Sequence, residues 1–223
     1  MNLKSEILPL LKVDALGYQR GGGWLFRGLS FEVMPSQMMW LRGQNGTGKT
    51  SLLRLVVGLA RADEGSVQWG AGAMSGAMPG TILGQTANAV YVGHSSALKE
   101  DLTALESLQF LAQLHGRPSS PTECAAAMRR LDIYQRRRQL VRTLSQGQRR
   151  RVALSRLALE SKPSLWVLDE PYEALDTHGV SALNALLDAH QSRGGSVLLT
   201  SHIPLLEQAA NCRVLDLDAR VAS

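Results

Sequence analysis

Short apolar runs separated by polar or glycine-rich turns make up the first part of the chain. Residues 11–42 have the pattern of short strands, and within them residues 29–33 (LSFEV) alternate with the two-residue period of a half-buried strand. Apolar runs at 67–69 and 89–92 predict two further strands. The stretch 70–88 is rich in Gly, Ala and Ser, so we expect a loose surface loop there.

Helical spacing replaces the strand pattern after about residue 100. Thr103 with Glu106, and Ser120 with Glu123, have the spacing of the capping boxes that begin helices. A third helix is predicted to begin near Gly147, because apolar residues at helical spacing follow it. This part of the chain therefore predicts a group of helices rather than a continuation of the sheet.

Apolar strands return after residue 160. The runs at 165–168 and 197–199 flank a predicted helix at 180–189, and this alternation is typical of a parallel sheet covered by helices. The predicted fold class is therefore α/β. Its core is expected to comprise residues 1–94 and 161–223, with a helical subdomain at 95–160 inserted into it.

A glycine-rich segment, GQNGTGKT at residues 43–50, joins the apolar run 38–41 to an apolar helical segment that begins at residue 51. A strand, a glycine-rich turn and a helix form the context in which a G-x-x-x-x-G-K-T sequence binds phosphate. The glycines let backbone N–H groups converge on an anion, and the helix adds the positive end of its dipole. The predicted nucleotide-binding residues here are Gly43, Gln44, Asn45, Gly46, Thr47, Gly48, Lys49, Thr50 and Ser51.

Two side chains of this segment have specific chemistry. Lys49 supplies a full positive charge for β- and γ-phosphates, and Thr50 supplies a hydroxyl that ligates Mg²⁺. The alternative is a glycine-rich surface turn with an exposed lysine, which the flanking strand and helix disfavour. The segment therefore predicts ATP and Mg²⁺ as ligands.

Two acidic residues, Asp169 and Glu170, follow the apolar run 165–168. The carboxyl ends of parallel strands carry ligand chemistry, and adjacent carboxylates there are costly without a cationic or reactive partner. We expect Asp169 to hold Mg²⁺, through a water molecule, and Glu170 to accept a proton from the attacking water. The alternative is that the pair only caps the turn at Pro171.

Ser145, Gly147 and Gln148 stand at the predicted start of the third helix. Taken alone, these residues indicate a plain N-cap followed by a glycine. Because they lie between the glycine-rich segment and the acidic pair, we interpret them as a second set of N–H groups directed at phosphate, with a hydroxyl beside it.

Arginines are concentrated in one stretch, where the single acid is Asp132, and they account for much of the net charge of +5. A solvated helical face is the default interpretation, and contact with anionic lipid or a membrane partner is the next. Nucleic acid is the least favoured, because Tyr134 is the one aromatic residue among them. These arginines are Arg129, Arg130, Arg136, Arg137, Arg138, Arg142, Arg149, Arg150, Arg151 and Arg156.

The chain shows no sign of a membrane span or a secretory leader. No apolar run approaches the roughly 20 residues of a membrane helix, and the N-terminus lacks the apolar stretch of a signal peptide. The two cysteines, Cys124 and Cys212, provide no disulfide framework, so we expect a reducing cytoplasm.

Taken together, the motifs resemble the nucleotide-binding subunit of ATP-binding cassette (ABC) transporters. Residues 43–50 match the Walker A motif, 144–148 the family signature and 165–170 the Walker B motif. Residues 173–176 resemble the D-loop, and His202 matches the switch histidine. The resemblance implies a P-loop NTPase fold of the ABC type with antiparallel strands near the N-terminus.

The resemblance also implies catalytic roles and an assembly. His202 would contact the γ-phosphate and the attacking water, so the expected catalytic residues are Glu170 and His202. The resemblance implies a head-to-tail dimer in which each ATP lies between Walker A of one chain and the signature of the other, and we expect a homodimer of this chain.

Two features depart from the family pattern. Gly93-His94 stands where most members have a glutamine, so we regard His94 as a candidate contact to Mg²⁺ through water. The residue that stacks on adenine is also ambiguous, with Tyr18, Trp24 and Arg20 as candidates.

Within the family, residues 91–94, 98–108, 146–157 and 168–176 are similar to the haem-exporter ATPases of bacterial cytochrome c maturation. This similarity implies a peripheral protein at the cytoplasmic face of the inner membrane, docked on membrane permease subunits. Its ATP cycle would drive haem export or the release of a haem-loaded chaperone. Haem is not expected to bind this chain directly.

Two other functions stay open from the sequence. The chain could be the ATPase subunit of an exporter for lipid, drug or peptide. It could also be a soluble regulatory or nucleic-acid-associated ATPase, which only the arginine-rich stretch supports. Its single cassette, with about 115 residues between Thr50 and Leu165, argues against that class.

Overall fold

Two β-sheets and five α-helices form the fold in the computed structural model, which describes residues 8–70, 89–202 and 212–218. The strands are β1 (Leu11–Arg20), β2 (Gly23–Val33), β3 (Met38–Arg42), β4 (Glu64–Trp69), β5 (Ala89–Val92), β6 (Leu165–Leu168), β7 (Ser196–Thr200) and β8 (Cys212–Asp216). The helices are α1 (Lys49–Val56), α2 (Ala104–Leu114), α3 (Pro121–Arg130), α4 (Gln146–Ser155) and α5 (Thr177–Ser192). Of the loop expected at 70–88, residues 71–88 lie outside the described residues.

The two sheets differ in direction, and both directions match the predicted fold class. β2, β1 and β4 form an antiparallel sheet in that order, whereas β5, β6, β7, β3 and β8 form a parallel sheet. β1 and β2 are longer than the short strands expected, with 10 and 11 residues. Their register shifts at several points, which breaks the apolar alternation and hides the full length from the sequence pattern.

Capping boxes begin three helices, as their sequences indicate. Thr103 Oγ1 accepts a hydrogen bond from Glu106 N at 3.3 Å, and the Glu106 carboxylate accepts from Thr103 N at 2.9 Å. Ser120 and Glu123 repeat the arrangement at α3. Each box pairs two backbone N–H groups that the helix leaves unbonded, which fixes where α2 and α3 begin.

Apolar side chains cover both faces of the parallel sheet. Along β6, Leu165 and Val167 belong to the cluster that contains α1 and the antiparallel sheet, whereas Trp166 and Leu168 belong to the cluster that contains α2 to α5. Alternate strand residues point to opposite faces, so one buried strand joins both clusters. The inserted helices thus share a core with the sheet, and the division at residues 95–160 stays a prediction.

The carboxyl ends of the parallel strands meet at one edge of the sheet. β7 lies between β6 and β3, so the segments that follow these three strands are neighbours there. They are the glycine-rich segment after β3, the acidic pair after β6 and His202 after β7. Within the described residues, no helix combines the length and apolar character that crossing a membrane requires.

We expect the stability of the protein to fall in mild acid because of His190. Its ring is 0% exposed, stacks on Trp166 at 3.8 Å between ring centroids, and donates from Nε2 to the Ser164 carbonyl. Burial lowers the pKa of His190 below its ordinary 6.5, so the unfolded chain takes up this proton first. The free energy of unfolding should therefore fall as the pH drops below about 6.5.

Urea melts at several pH values would measure this effect. His190→Phe retains a ring against Trp166 and should flatten the acid slope, whereas substitution of the exposed His178, in His178→Gln, should leave the slope unchanged. An identical slope in wild type and His190→Phe would show that other groups cause the acid sensitivity.

Candidate functional site

The glycine-rich segment turns from β3 directly into α1, as predicted. Gly48 lies just before the helix with φ of 94°, a left-handed conformation that side chains with a Cβ rarely adopt. A Cβ there would also lie 3.1 Å from Leu25 Cβ and from the ring of Phe26. Because Gly48 has no side chain to cap the helix, the N–H groups of the first turn of α1 are left for a ligand.

The side chain of Lys49 folds over this segment. Its Nζ donates to the carbonyl oxygens of Gly43 at 2.6 Å and Gln44 at 2.9 Å. Both acceptors are uncharged, so they do not neutralise the ammonium charge. The backbone N–H of Gln44 donates to both carboxylate oxygens of Asp218 at 3.0 and 3.1 Å, which shows that this segment already binds a carboxylate.

A cavity of about 670 Å³ opens beside the first turn of α1. It brings together most of the predicted site residues, from four separate parts of the chain. Those that line it are Asn45, Gly46, Gly48, Lys49, Thr50, Ser51, His94, Asp169, Glu170 and His202. Gly43, Gln44 and Thr47 do not line it, and the signature residues Ser145, Gly147 and Gln148 do not either.

Asp169 is buried at the end of β6, with 2% of its surface exposed. Its Oδ2 accepts a hydrogen bond from Thr50 Oγ1 at 2.8 Å, and its Oδ1 accepts from Thr200 Oγ1 at 3.0 Å. A carboxylate beside a hydroxyl is the oxygen-rich donor set that suits Mg²⁺. Thr50 and Asp169 therefore fit this metal, and their role as its ligands stays a prediction.

Glu170 has a strained backbone conformation, and both its backbone N–H and its carboxylate have hydrogen-bond partners. Its φ is 49°, in the left-handed region that is uncommon for residues other than glycine. Its N–H donates to Thr200 Oγ1 at 2.8 Å. Strain of this kind costs about 1–3 kcal/mol and persists where surrounding contacts hold it, often at functional sites.

His202 meets the carboxylate of Glu170 at the mouth of the cavity. The His202 N–H donates to Glu170 Oε2 at 3.1 Å, and His202 Nε2 lies 3.3 Å from Glu170 Oε1. The Glu170 side chain is 14% exposed, so little water competes for this contact. The two residues predicted to be catalytic are thus in direct contact.

His94 lines the same cavity, and its ring contacts an acid of the following segment. His94 Nδ1 lies 2.9 Å from Glu173 Oε2, and both side chains are well exposed. Glu173 was expected only as part of the D-loop sequence. The contact joins the loop after β5 to the segment after β6.

Arg150 contacts the backbone of Asp169 and Glu170, which the sequence analysis did not foresee. The interpretation of the arginine stretch as a solvated face is wrong for Arg150 and Arg151, which are 5% and 8% exposed. Their burial is tolerated because carbonyls bond to Arg150 and a carbonyl and an acid bond to Arg151, which offsets the cost of removing a charge from water. The pattern did contain a signal, since Arg150 lies four and seven residues before the buried Leu154 and Leu157, on the same helical face.

The signature residues form the start of α4. Ser145 Oγ accepts from Gln148 N at 3.3 Å, and Gln148 Oε1 accepts from Ser145 N at 3.0 Å, which completes a capping box. A Cβ at Gly147 would lie 2.4 Å from the Ala174 carbonyl oxygen, so glycine is required for this close approach. Within one chain these residues therefore act as an N-cap and a packing position, and their phosphate role stays a prediction.

Of the three candidates for adenine stacking, Arg20 lines the cavity, together with Leu25. Tyr18 packs on Phe26, with 6.3 Å between ring centroids, and Trp24 lies under the guanidinium of Arg27 at 4.7 Å. The two aromatic candidates are thus already engaged within the antiparallel sheet and do not line the cavity.

A profile of the ABC transporter family matches residues 26–173 of the chain. The matched residues extend from within β2 to the acidic segment after β6. The chain belongs to the ABC transporter family. It is an ABC ATPase, and the resemblance drawn from its motifs is confirmed.

Three relatives that are similar to this chain over most of their length have the same name, "Cytochrome c biogenesis ATP-binding export protein CcmA". The protein of Albidiferax ferrireducens is 41% identical over 96% of this chain and 100% of its own. The protein of Aromatoleum aromaticum is 41% identical over 87% of this chain and 89% of its own. The protein of Vibrio vulnificus is 38% identical over 93% of this chain and 99% of its own.

Solved structures of other ABC proteins share the fold. An ATP-binding subunit of an ABC transporter superposes with a TM-score of 0.73 at 23% identity, covering 87% of this chain and 80% of its own. An ABC ATP-binding protein from Pyrococcus furiosus also superposes with a TM-score of 0.73, at 18% identity, covering 95% of this chain and 98% of its own. Both comparisons support the predicted fold class.

Proposed function

We propose that the chain is the ATP-hydrolysing subunit of an export system for cytochrome c biogenesis and that its cavity holds ATP. The observation that carries this proposal is the meeting of Lys49, Asp169, Glu170 and His202 at one cavity, at the carboxyl ends of three neighbouring strands. The CcmA relatives support the cytochrome c role, and they favour it over export of lipid, drug or peptide.

In the proposed reaction, the phosphates lie on the N–H groups at the start of α1, residues 43–51, and Lys49 contacts the β- and γ-phosphates. A water molecule attacks the γ-phosphorus, Glu170 accepts its proton, and ADP leaves. His202 orients the Glu170 carboxylate and contacts the γ-phosphate. The short contacts between His202 and Glu170 support this pairing.

Mg²⁺ would be held by the Thr50 hydroxyl and, through water, by Asp169, with His94 as a further contact through water. The metal neutralises charge on the β- and γ-phosphate oxygens when it is bound. The buried carboxylate of Asp169 beside the Thr50 hydroxyl supports this assignment.

We further propose a head-to-tail homodimer in which Ser145, Gly147 and Gln148 of one chain complete the ATP site of the other. The position of these residues away from the cavity of their own chain favours this arrangement. The dimer would dock on membrane permease subunits at the cytoplasmic face of the inner membrane. Haem would be moved, or its chaperone released, by those subunits rather than by this chain.

Affinity purification from membranes tests the cytochrome c role. The tagged full-length chain should copurify with membrane proteins of cytochrome c biogenesis, identified by mass spectrometry. A tagged unrelated cytoplasmic protein from the same membranes serves as the control. Recovery of permease subunits of a lipid, drug or peptide exporter instead would contradict the proposal.

A further inference from the structure

The side chain of Arg150 uses its whole hydrogen-bonding capacity on backbone carbonyls around the proposed hydrolysis site. A guanidinium has five N–H donors in a rigid fork, and each one here faces a carbonyl oxygen. Nη2 donates to Asp169 at 2.7 Å and Glu170 at 2.8 Å, and Nη1 donates to Gly93 at 2.8 Å. Longer contacts at 3.4 Å join Nη1 to the His94 carbonyl and Nε to that of Pro171.

These carbonyls belong to two separate segments. One is the turn at residues 169–171, which contains the acid proposed to activate water, and the other is the loop after β5 at residues 93–94. Arg150 itself is on α4, two residues after Gln148. One side chain therefore joins the first turns of α4, the signature helix, to the turn at residues 169–171, the catalytic turn, and to the loop at His94.

Three carbonyls of the turn at residues 169–171 would each lose a donor without this side chain, and that of Glu170 would retain only the Glu173 N–H at 3.1 Å. Glu170 lies in the middle of the three with φ of 49°, and such a conformation persists only where neighbouring groups hold it. Arg150 is 5% exposed, so water does not readily replace it. Thr200 fixes the N–H side of Glu170, whereas Arg150 fixes its carbonyl side.

The charge of Arg150 is balanced by its surroundings rather than by one ion pair. Within the described residues, no carboxylate oxygen lies within ion-pair distance of its guanidinium. Burial lowers the pKa of Arg150, and the nearby carboxylates of Glu173, Asp169 and Glu170 oppose that effect. The guanidinium is directed at carbonyl dipoles, which favours positioning of the backbone over pairing with a single acid.

We propose that Arg150 is a positioning residue for ATP hydrolysis. It holds the strained turn at Glu170 in its active conformation and ties that turn to the signature helix. The inference rests on the proposed role of Glu170. It assigns Arg150 no contact with nucleotide, so its loss should affect turnover far more than nucleotide affinity.

The first test compares Arg150→Met, Arg150→Lys and the wild type as full-length chains. Single-turnover hydrolysis of Mg²⁺-ATP in Arg150→Met should be roughly 10- to 100-fold slower, because small misplacement of a catalytic group has effects of this size. The Kd for Mg²⁺ with a non-hydrolysable ATP analogue should stay within about threefold of the wild type. Arg150→Lys should lie between the two, since it retains the charge and three of the five donors.

Two control variants separate positioning from lost stability. Leu131→Ala removes a fully buried side chain of the helical region and lowers stability by leaving a cavity there. Arg142→Gln removes an exposed arginine that pairs with the exposed Asp101. Both should hydrolyse ATP like the wild type at a temperature well below their melting points. If Arg150→Met slows hydrolysis no more than Leu131→Ala does, Arg150 has only a structural role.

A double-mutant cycle with Glu170→Gln tests whether Arg150 acts through Glu170. If it does, adding Arg150→Met to Glu170→Gln should change hydrolysis by less than about threefold. If the double variant instead loses activity by the product of the two single-variant fold-losses, Arg150 acts independently of Glu170. That result would overturn the inference, even if Glu170 is the base. Wild-type turnover by Glu170→Gln alone would instead overturn the proposed role of Glu170. Arg150→Lys provides the same cycle if Arg150→Met does not fold.

Discussion

Replacing Glu170 with glutamine should abolish most ATP hydrolysis and leave nucleotide binding intact. The amide has nearly the shape of the carboxylate but cannot accept a proton from water, so kcat should fall by about 10²–10⁴-fold. The Kd for Mg²⁺-ATP should stay within about twofold of the wild type, because Glu170 is not proposed to bind the phosphates. A coupled phosphate-release assay measures the first quantity, and titration calorimetry measures the second.

The control for this variant is Glu32→Gln. Glu32 is an exposed acid on β2 whose partner is Lys12 at 3.6 Å, and it lies in the antiparallel sheet. Its amide variant should hydrolyse ATP like the wild type. Turnover at the wild-type rate in Glu170→Gln would exclude Glu170 as the base and leave His202 as the other catalytic candidate.

Removal of the Lys49 ammonium should weaken binding rather than turnover alone. Lys49 bonds only to uncharged carbonyls within the described residues, so its charge is available to a phosphate. Hydrogen bonds to charged groups contribute roughly 1.5–3 kcal/mol, so Lys49→Ala should raise the Kd for Mg²⁺-ATP by about 10- to 100-fold. Titration of the full-length chain with a non-hydrolysable ATP analogue measures this change.

Two further measurements make the Lys49 result specific. Lys12→Ala removes an exposed lysine whose partner is Glu32, and it should bind the analogue like the wild type. AMP lacks the β- and γ-phosphates, so its affinity should differ little between Lys49→Ala and the wild type. Equal affinity of both proteins for the ATP analogue would show that Lys49 does not contact the phosphates.

The parts of the fold that depend on local pattern were predictable from the sequence. Capping-box spacing located the starts of α2 and α3, because the reciprocal hydrogen bonds involve residues only three apart. The glycine-rich segment and the acidic pair were placed correctly for a similar reason. Each follows an apolar strand, and the carboxyl ends of parallel strands lie at a common edge.

Contacts between distant segments were not predictable in the same way. Arg150 binds carbonyls of segments about 20 and 57 positions away, and backbone carbonyls have no residue type that the sequence could reveal. The pairing of His94 with Glu173 depends on β5 and β6 being neighbours, which strand order decides. The residue that stacks on adenine stays open in the same way, because Tyr18 and Trp24 pack within the antiparallel sheet whereas Arg20 lines the cavity.

The capping role of the residues at the start of α4 is compatible with their proposed role in binding phosphate. Ser145 and Gln148 cap the helix, and Gly147 allows it to approach the Ala174 carbonyl. The cap fixes the direction of the first N–H groups of α4, which is also what binding of a phosphate from a second chain would require. A structural reason for these residues therefore does not compete with the proposed one.

A crystal structure of the full-length chain with Mg²⁺ and a non-hydrolysable ATP analogue tests the central claim most directly. We expect the terminal phosphate to lie within hydrogen-bond distance, about 2.7–3.2 Å, of Lys49 Nζ, with Glu170 directed at the water beside it. A cavity left empty beside α1, or a nucleotide whose γ-phosphate lies away from both Lys49 and Glu170, would contradict it.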